Sequence, residues 1–354
     1  MTIDGTQITD SQGMLAATLA LPEQVAAAAD RSKGLSGLPL IDDINSVVVL
    51  GMGGSGIAGD IVAAVAGPFM PVPVVVAKSY ELPAFVGEGT LVFAVSFSGD
   101  TEETVETTSE AAVQGANVVI VSRGGELTRL GEAWGAPMVS VPDDIPQPRA
   151  GVGALAIPPL IVLEEIGLFP GARRWVDEAV RGLVARRDEL TSDDGTALES
   201  SIVTDLARHI GRTIPLIYGG GAVGAVAAQR WKTQMNENAK IPAFWNAQPE
   251  LCHNEVAGWG QHGDLTRQAI TVVALRHDFE HPQVMRRFEL VFQLLDEVVA
   301  DIAQIQAGGE GQLAQLLDLI LVGDLTSLQL AMNEGIDPGP VPTLDEIKIA
   351  LKEG

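Results

Sequence analysis

The chain has 354 residues, of which 46% are apolar, so it is long enough for two domains of ordinary size, each with a hydrophobic core. Its 46 acidic residues against 22 lysines and arginines give a formal net charge of -24 at pH 7. Because such a charge repels nucleic acid and anionic membranes, we expect no nucleic-acid partner and no membrane partner.

The first residues, the longest apolar run and the cysteine content indicate the cellular compartment of the protein. The N-terminal stretch MTIDGTQITD lacks the basic and apolar segments of a secretory signal. The longest apolar run, which begins at Gly151, contains two prolines. It is shorter than the about 20 residues that span a bilayer. The single cysteine, Cys252, excludes an intrachain disulfide. We therefore expect a cytoplasmic protein.

The first half of the chain alternates strand-like and helix-like segments. Residues 1–40 are expected to form a polar helical lead-in, and residues 41–170 the first domain. Within that domain, β-branched runs predict strands at 46–51, 71–78, 90–96, 116–123 and 137–141. Such alternation predicts an α/β fold with a parallel sheet covered by helices on both faces. Ligands are then expected beyond the carboxyl ends of the strands.

The alternation restarts after a charged amphipathic segment, residues 171–200, which predicts connecting helices. Residues 201–333 form the second predicted domain, and residues 334–354 a tail with a proline- and glycine-rich turn and a short helix. In the second domain we expect strands at 214–221, 269–276 and 300–307, and helices at 222–238, 284–299 and 310–333.

The two predicted domains share a glycine turn. The segment VVLGMGGSGIAGDIVAA aligns with PLIYGGGAVGAVAAQRW, which places the glycines of the first segment, Gly51, Gly53 and Gly56, over Gly219, Gly221 and Gly224. The alignment predicts a duplicated α/β unit in which Val223 replaces Ser55.

The same glycine spacing fits a dinucleotide fingerprint. A nicotinamide site needs an acidic residue at the end of the second strand for the ribose hydroxyls, and here that strand ends with Lys78. Because Lys78 suits a 2′-phosphate, a phosphorylated dinucleotide stays an alternative.

A cluster of hydroxyls follows the third predicted strand, in the segment AVSFSGDTEET. Ser96, Ser98 and Thr101 lie within six residues, just before a predicted helix. The backbone N–H groups and the partial positive charge of a helix N-terminus suit a phosphate dianion. Capping of the helix by Asp100 or Thr101 is the alternative, but it accounts for only one of the hydroxyls. Together with Gly54 and Ser55 of the first glycine turn, the cluster predicts a phosphate site.

The strings GMGGSG and SFSGDTEET resemble a sugar isomerase (SIS) domain, a phosphosugar-binding α/β unit. With NENAK, HNEVAGW and the C-terminal GDLTSLQLA, DPGPV and EIK, residues 40–354 resemble the bifunctional phosphoglucose/phosphomannose isomerases. The resemblance implies two tandem three-layer α/β/α SIS domains with parallel sheets, assembled as a homodimer. It also implies aldose–ketose isomerisation of glucose, mannose and fructose 6-phosphates through an enediol, without a cofactor or a metal.

Two candidate catalytic residues lie in the second half. Glu237 ends a predicted helix, where the dipole disfavours the ionised carboxylate and strengthens it as a base. A solvated glutamate paired with Lys240 fits the spacing equally well, and the resemblance implies that Glu237 is the isomerisation base. His253 taken alone is typical of a structural or exposed histidine. The resemblance implies that it opens the sugar ring in the active site of the partner subunit.

Two cations are also implied by the resemblance. Arg149, a loop arginine after two prolines, matches an active-site arginine that stabilises the enediolate. Lys348 matches a C-terminal lysine that assists ring opening, with Lys352 as the rival position.

Other reactive side chains are expected to be uninvolved. Cys252 is interpreted as a bystander, because isomerisation needs no covalent intermediate. His277 and His281, four residues apart, are interpreted as solvated surface rather than as metal ligands.

Two other functions remain alternatives. The first is a non-catalytic phosphosugar-binding regulator, although the acidic charge argues against a DNA-bound one. The second is an amino-sugar phosphate isomerase, which would need an ammonia source.

Overall fold

The computed structural model describes residues 2–3, 6–7, 9–192, 198 and 201–353, which form two compact units. The N-terminal unit comprises Ala20–Arg186 and Gly308–Asp318. The C-terminal unit comprises the described parts of Met1–Leu19, Arg187–Ala307 and Leu319–Gly354.

The strands are β1 (Thr2–Ile3), β2 (Thr6–Gln7), β3 (Ser46–Leu50), β4 (Val74–Ala77), β5 (Thr90–Ser96), β6 (Asn117–Ser122), β7 (Met138–Ser140), β8 (Ile214–Gly220), β9 (Phe244–Gln248), β10 (Ile270–Arg276) and β11 (Asp301–Gln306). The helices are α1 (Met14–Leu19), α2 (Leu21–Arg31), α3 (Gly53–Val65), α4 (Glu102–Val113), α5 (Gly125–Trp134), α6 (Val152–Ile166), α7 (Ala172–Leu190), α8 (Ile202–Ile210), α9 (Gly221–Glu237), α10 (Gly263–Ala269), α11 (Pro282–Leu295), α12 (Gln312–Asn333) and α13 (Pro342–Glu353).

The N-terminal unit is built on a five-stranded parallel sheet with the order β4-β3-β5-β6-β7. Strands β3 and β5 are buried along their whole length, as their continuous apolar runs predict for a sheet covered on both faces. Helices α4 and α5 contribute Ala111 and Leu127 to the core on one face. Helices α3 and α6 pack against each other, and α6 also contacts β5 and β6.

Helix α6 is apolar and buried around most of its circumference, because it also packs against α2. Pro158 and Pro159 lie inside it. Helix α2 buries Leu21 and Val25, so this part of the chain belongs to the core of the unit and differs from the predicted polar lead-in.

The C-terminal unit has a four-stranded parallel sheet with the order β11-β10-β8-β9. Helix α11 packs Val284, Phe288 and Val291 against Tyr218 and other core residues. Helix α9 buries Trp231, whose indole N–H donates to the carbonyl of Leu319 in α12 at 2.7 Å. The two parallel sheets with their helices confirm the predicted α/β class with two parallel-sheet domains.

The two glycine turns have the same conformation in the two units. Gly53 begins α3 with φ of 50°, and Gly221 begins α9 with φ of 60°, a region that favours glycine. A Cβ on Gly51 would lie 2.8 Å from the carbonyl oxygen of Val95, and a Cβ on Gly219 would lie 2.0 Å from that of Gly224. Close backbone packing therefore requires glycine at the end of β3 and at the end of β8, as the alignment of the two segments predicts.

Among the described residues, α12 is the one helix whose length and composition would suit a membrane span, and its most apolar window is fully buried inside the protein. The apolar window is thus accounted for by packing in the protein core.

Candidate active site

The predicted phosphate-binding residues lie together at the carboxyl edge of the N-terminal sheet. Strands β3 and β5 are neighbours, and the chain leaves them toward opposite faces, which makes this the position where open α/β sheets bind ligands. Gly54, in the first turn of α3, lies against the segment that follows β7. A Cβ there would lie 3.2 Å from the backbone nitrogen of Arg149, so a side chain at this position would require the neighbouring backbone to move by a few tenths of an ångström.

Hydrogen bonds join the hydroxyls to the backbone of the β5–α4 loop. The Ser55 hydroxyl accepts the backbone N–H of Phe97 at 3.1 Å, which ties α3 to the loop. Ser96 Oγ accepts the N–H of Gly99 at 3.1 Å, and Ser98 Oγ accepts that of Asp100 at 3.2 Å. Because each hydroxyl has an acceptor bond, its own proton stays available to donate.

The side chains of Ser96 and Thr101 form a pair with their oxygens 2.9 Å apart. Ser96 is fully buried, and Thr101 is partly exposed at the N-cap position of α4. One of the two hydroxyl protons makes the hydrogen bond between Ser96 and Thr101, so the other hydroxyl proton is left to donate to a bound group.

Capping does not account for this cluster. Among the described residues, the Thr101 side chain makes no cap hydrogen bond to α4. Asp100 serves a different helix, because its carboxylate accepts the N–H of Glu126 in α5 at 2.8 Å. The N-terminus of α4 therefore retains the N–H groups that an anion would bind.

Two cations lie at or near the same edge. Arg149 is only 3% exposed, in a short 3₁₀ turn, Pro148–Ala150, that Gln24 holds by donating to the carbonyl of Ala150 at 2.9 Å. Lys78 forms an ion pair with Asp60. Burial raises the pKa of the Asp60 carboxyl, although Lys78 opposes that rise. Lys78 is engaged with Asp60. This ion pair argues against Lys78 as the residue that binds a 2′-phosphate, and so against a phosphorylated dinucleotide.

The structure places Glu237 as the last residue of α9, partly buried in the C-terminal unit. The polar residues on both sides of Glu237 donate hydrogen bonds to the backbone and to α12. Asn236 donates to the carbonyl of Ile241 at 2.9 Å, and Asn238 donates to the Ser327 hydroxyl at 2.9 Å. The ammonium of Lys240 donates to the carbonyl of Glu237 at 2.6 Å. The NENAK segment thus fixes the backbone that carries the candidate base.

Further back on α9, a buried ion pair fastens the helix to α12. The Arg230 guanidinium donates to both carboxylate oxygens of Asp324, at 3.2 and 2.7 Å, and both residues are buried. This pair sets the position of α9 relative to α12.

His253 is exposed at the end of a 3₁₀ turn, Glu250–His253. The segment is anchored by Leu251, which is fully buried, and by Glu255. The Glu255 carboxylate accepts hydrogen bonds from the Tyr218 hydroxyl and, at 2.6 Å, from the Asn246 amide. Burial, followed by the adjacent Glu255, raises the pKa of Tyr218 because both disfavour the phenolate. Sequence reasoning missed Tyr218 and Glu255, although Glu255 is part of HNEVAGW.

Lys348 lies on α13, whose residues 342–351 are all exposed. The side chain of Lys352 lies outside the described residues, so the choice between the two lysines remains a prediction. The structure thus brings Gly54, Ser55, Ser96, Ser98, Thr101 and Arg149 together in one unit. It places Glu237, His253 and Lys348 on three different segments of the other unit.

The equivalent loop of the C-terminal unit contains different chemistry. Strand register places Arg276 where β5 has Ser96, since Ala94 and Ala274 occupy matching positions beside Leu50 and Tyr218. Arg276 pairs with Glu280 at 2.8 Å. A Cβ on Gly220 would lie 3.2 Å from the Glu280 carboxyl carbon. The Glu280 carboxylate therefore lies beside the glycine turn that corresponds to residues 51–56 of the N-terminal unit.

The interpretation of His277 as solvated surface is wrong. His277 is 4% exposed, and its Nε2 lies 2.8 Å from the carbonyl of Gly220, while its Nδ1 accepts the N–H of Phe279 at 3.2 Å. Counted from the strand register, His277 occupies the position that corresponds to buried Phe97, the residue after β5. His281 is exposed and caps α11 through the N–H of Gln283. Within the described residues, no three His, Cys, Asp or Glu side chains are grouped to hold a metal.

Comparison with protein families matches residues 40–126 to "SIS domain" and residues 201–351 to "Bacterial phospho-glucose isomerase C-terminal SIS domain". The bifunctional phosphoglucose/phosphomannose isomerase of Caldicellulosiruptor bescii is 33% identical over 94% of this chain and 97% of its own length. The enzyme of the same description from Thermoplasma acidophilum is 32% identical over 86% of this chain and 89% of its own. Among solved structures, the C-terminal domain of glucosamine-fructose-6-phosphate aminotransferase from Francisella tularensis matches with a TM-score of 0.69 and 16% identity, covering 96% of this chain and 100% of that one. This last likeness concerns the fold alone.

Proposed function

Because the chain belongs to the family of bifunctional phosphoglucose/phosphomannose isomerases, we propose that it interconverts glucose 6-phosphate, mannose 6-phosphate and fructose 6-phosphate. The observation that carries the proposal is the hydroxyl cluster at the N-terminus of α4, combined with a glutamate at the end of α9. The cluster suits a phosphate ester, and the glutamate suits the transfer of a proton within the bound sugar.

In this proposal, the phosphate is bound by hydroxyl and backbone donors. Ser55 and Ser98 donate directly, since their acceptor positions are already used by backbone N–H groups. Thr101 donates the remaining proton of its pair, and Ser96, which is fully buried, orients the Thr101 hydroxyl. The free N–H groups of α4 and the glycine turn at Gly54 complete the site. Such a site suits a strongly acidic protein, because it needs no cluster of lysines.

Proton transfer is assigned to Glu237. Its carboxylate takes the C2 proton of the open-chain aldose, the C–H electron pair forms the C1–C2 double bond, and the C1 carbonyl pair moves onto O1 to give the enediolate. O1 then takes up the proton that O2 releases, the C2 carbonyl forms, and Glu237 returns its proton to C1 to give the ketose. A positioned base is worth roughly 10²- to 10⁴-fold in rate. Because C2 is planar in the enediol, glucose and mannose 6-phosphates share one intermediate. A single base serves both epimers when rotation of the intermediate about its C2–C3 bond presents either face of C2 to the base.

The remaining candidates act on charge and on the ring. Arg149 stabilises the negative charge of the enediolate, for which a buried guanidinium is well suited. His253 and Lys348 exchange protons with the ring oxygen and the C1 hydroxyl during ring opening. No cofactor or metal takes part in this mechanism.

We further propose that the protein is a cytoplasmic homodimer in which His253 acts in the active site of the partner subunit. His253 is exposed, as such a role requires. On the edge strand β9, Phe244 is 57% exposed and Trp245 is 38% exposed. Aromatic side chains of this kind are enriched in protein interfaces.

The experiment is a coupled assay of wild type and Glu237→Gln with each of the three sugar phosphates. Wild type is expected to turn over all three. Glu237→Gln is expected to lose activity by at least about 10²-fold while inorganic phosphate still raises its melting temperature. Glu297→Gln, an exposed glutamate of the same unit, is the matched control and should keep full activity.

Three outcomes contradict parts of the proposal. A Glu237→Gln variant with more than about a tenth of the wild-type rate excludes this residue as the base. Wild type that binds the sugar phosphates without turnover supports the regulator instead. Turnover only with an amino-sugar phosphate supports the amino-sugar isomerase.

A further inference from the structure

Lys240 has an unusual backbone conformation for a lysine. Its φ is 58°, and it is the only residue other than glycine with positive φ in the described part of the chain. In this left-handed region the Cβ of an L-residue is crowded by its own backbone, so glycine is the residue commonly found just after a helix. A strained conformation at a lysine is a reason to look for a role of the side chain.

The Lys240 side chain joins two segments that are far apart in sequence. Its ammonium donates to the carbonyl of Glu237, the last residue of α9, at 2.6 Å, and to the carbonyl of Pro338 at 3.3 Å. A cation is favourable at a helix C-terminus because the last carbonyls carry partial negative charge. The left-handed backbone turns the chain after α9, and the side chain reaches back to the helix end.

Pro338 belongs to a turn that is itself well fixed. The Asp337 carboxylate accepts the N–H of Ser11 at 3.3 Å and the N–H of Gly339 at 3.1 Å. Burial pushes the pKa of Asp337 up, but hydrogen bonds from the Ser11 side chain and from the backbone of Gly339 and Ser11, together with the charge of Lys240, outweigh burial and hold this pKa below its ordinary value. Helix α13, which carries Lys348, begins at Pro342, only four residues after Pro338.

We propose that Lys240 is a positioning residue that fixes the backbone of Glu237 relative to the segment leading to Lys348. It does this through the contacts of its ammonium with the carbonyls of Glu237 and Pro338. The inference rests on the proposed function, since it assigns Lys240 a part in placing the proposed base. Its test must therefore separate a failure of this assignment from a failure of the proposed reaction.

The test uses three substitutions of Lys240 in the full chain. Lys240→Gly removes the ammonium and relieves the backbone, Lys240→Met removes the ammonium and keeps the strained backbone, and Lys240→Arg keeps a cation that donates to carbonyls. Lys33→Met, which removes an exposed lysine of the other unit, is the control for loss of charge. Each variant is measured for melting temperature and for kcat and KM with fructose 6-phosphate.

We expect kcat of the glycine and methionine variants to fall by about 10- to 100-fold, because small displacements of a catalytic group cost rate on this scale. KM should change by less than about threefold, because the phosphate site lies in the other unit and binding of the substrate stays intact. Lys240→Arg should recover most of the lost kcat. The glycine variant should melt no lower than the methionine variant, since glycine tolerates the conformation.

A purely structural lysine would give a different pattern. Lys240→Gly with wild-type kcat overturns the proposal, and so does a loss of kcat that follows melting temperature across the three variants. If wild type itself lacks isomerase activity, the proposed function fails. If wild type is active, Glu237→Gln is inactive and Lys240→Gly is fully active, only the assignment of Lys240 fails.

Discussion

Thr101 offers a direct test of the proposed phosphate site, because Thr101→Val removes a hydroxyl and leaves the shape of the side chain nearly unchanged. The substitution costs no helix cap, since the Thr101 side chain makes no cap hydrogen bond to α4 within the described structure. It removes the partner of the buried Ser96 hydroxyl, 2.9 Å away. It also removes the proton that we assign to the phosphate.

These two losses have different magnitudes and different readouts. A hydrogen bond to a charged group contributes about 1.5–3 kcal/mol, and a factor of ten corresponds to about 1.4 kcal/mol, so kcat/KM should fall by about 10- to 150-fold. The Ser96 hydroxyl keeps its bond from the Gly99 N–H and loses only the pair with Thr101. The proton of the buried Ser96 hydroxyl then has no acceptor, which should lower the free energy of unfolding by about 1–3 kcal/mol.

The assay is steady-state isomerisation of fructose 6-phosphate, with inhibition by inorganic phosphate measured in parallel. Thr107→Val is the matched control, because the Thr107 hydroxyl donates within α4 to the carbonyl of Glu103 at 2.7 Å. The inhibition constant for phosphate should rise with Thr101→Val and stay constant with Thr107→Val. An unchanged inhibition constant and an unchanged kcat/KM in Thr101→Val would refute the assignment of phosphate to this loop.

Two further predictions concern the C-terminal unit. Unfolding exposes Tyr218, and the exposed phenol loses its proton near pH 10. In the folded state burial raises the pKa of Tyr218, so the phenol keeps its proton above pH 10. The free energy of unfolding should therefore fall above pH 10 by up to about 1.4 kcal/mol per pH unit. Urea denaturation between pH 9 and pH 11 should show this slope in wild type and not in Tyr218→Phe; equal slopes would contradict the buried phenol. Asp324→Ala removes one partner of the buried pair with Arg230, so the free energy of unfolding at pH 7 should fall by about 3–5 kcal/mol, and a loss below about 1 kcal/mol would mean that the pair is open to solvent.

Much of the N-terminal sheet could be predicted from the sequence, because its central strands β3 and β5 are buried on both faces and consist of continuous apolar runs. Strands β3 and β5 lie within one residue of the predicted segments. Strand β9, residues Phe244–Gln248, was not predicted. It lies at the sheet edge with both of its aromatic residues exposed, so it lacks the apolar pattern of a buried strand.

Helix α6 shows a second limit of sequence patterns. Pro158 and Pro159 ordinarily argue against a helix interior, because proline has no N–H to donate. The segment is nevertheless helical, because its apolar surface packs against α2 and α3. Tertiary packing of this kind is not visible in a local pattern.

The candidate site likewise has features that the sequence predicts and features that it does not. The hydroxyl cluster was predictable because Ser96, Ser98 and Thr101 are close in sequence and precede a helix. The contact between Lys240 and Pro338 joins residues 98 positions apart, and the contact between Tyr218 and Glu255 joins residues 37 apart. No local pattern indicates such pairs. The burial of His277 was missed for a related reason, since only strand register shows that it occupies the position of Phe97.

The N-terminal unit is built from two segments that are far apart in the sequence, and this affects its folding during protein synthesis. Within that unit, Arg186 pairs with Asp318, which is translated 132 residues later. At about 5–20 residues per second, the ribosome needs about 7 to 26 seconds to supply that partner. During this interval the nascent unit has the partly buried Arg186 without its carboxylate partner, and it lacks its last segment. Folding of the first half of the chain is therefore completed only when nearly the whole protein has been made.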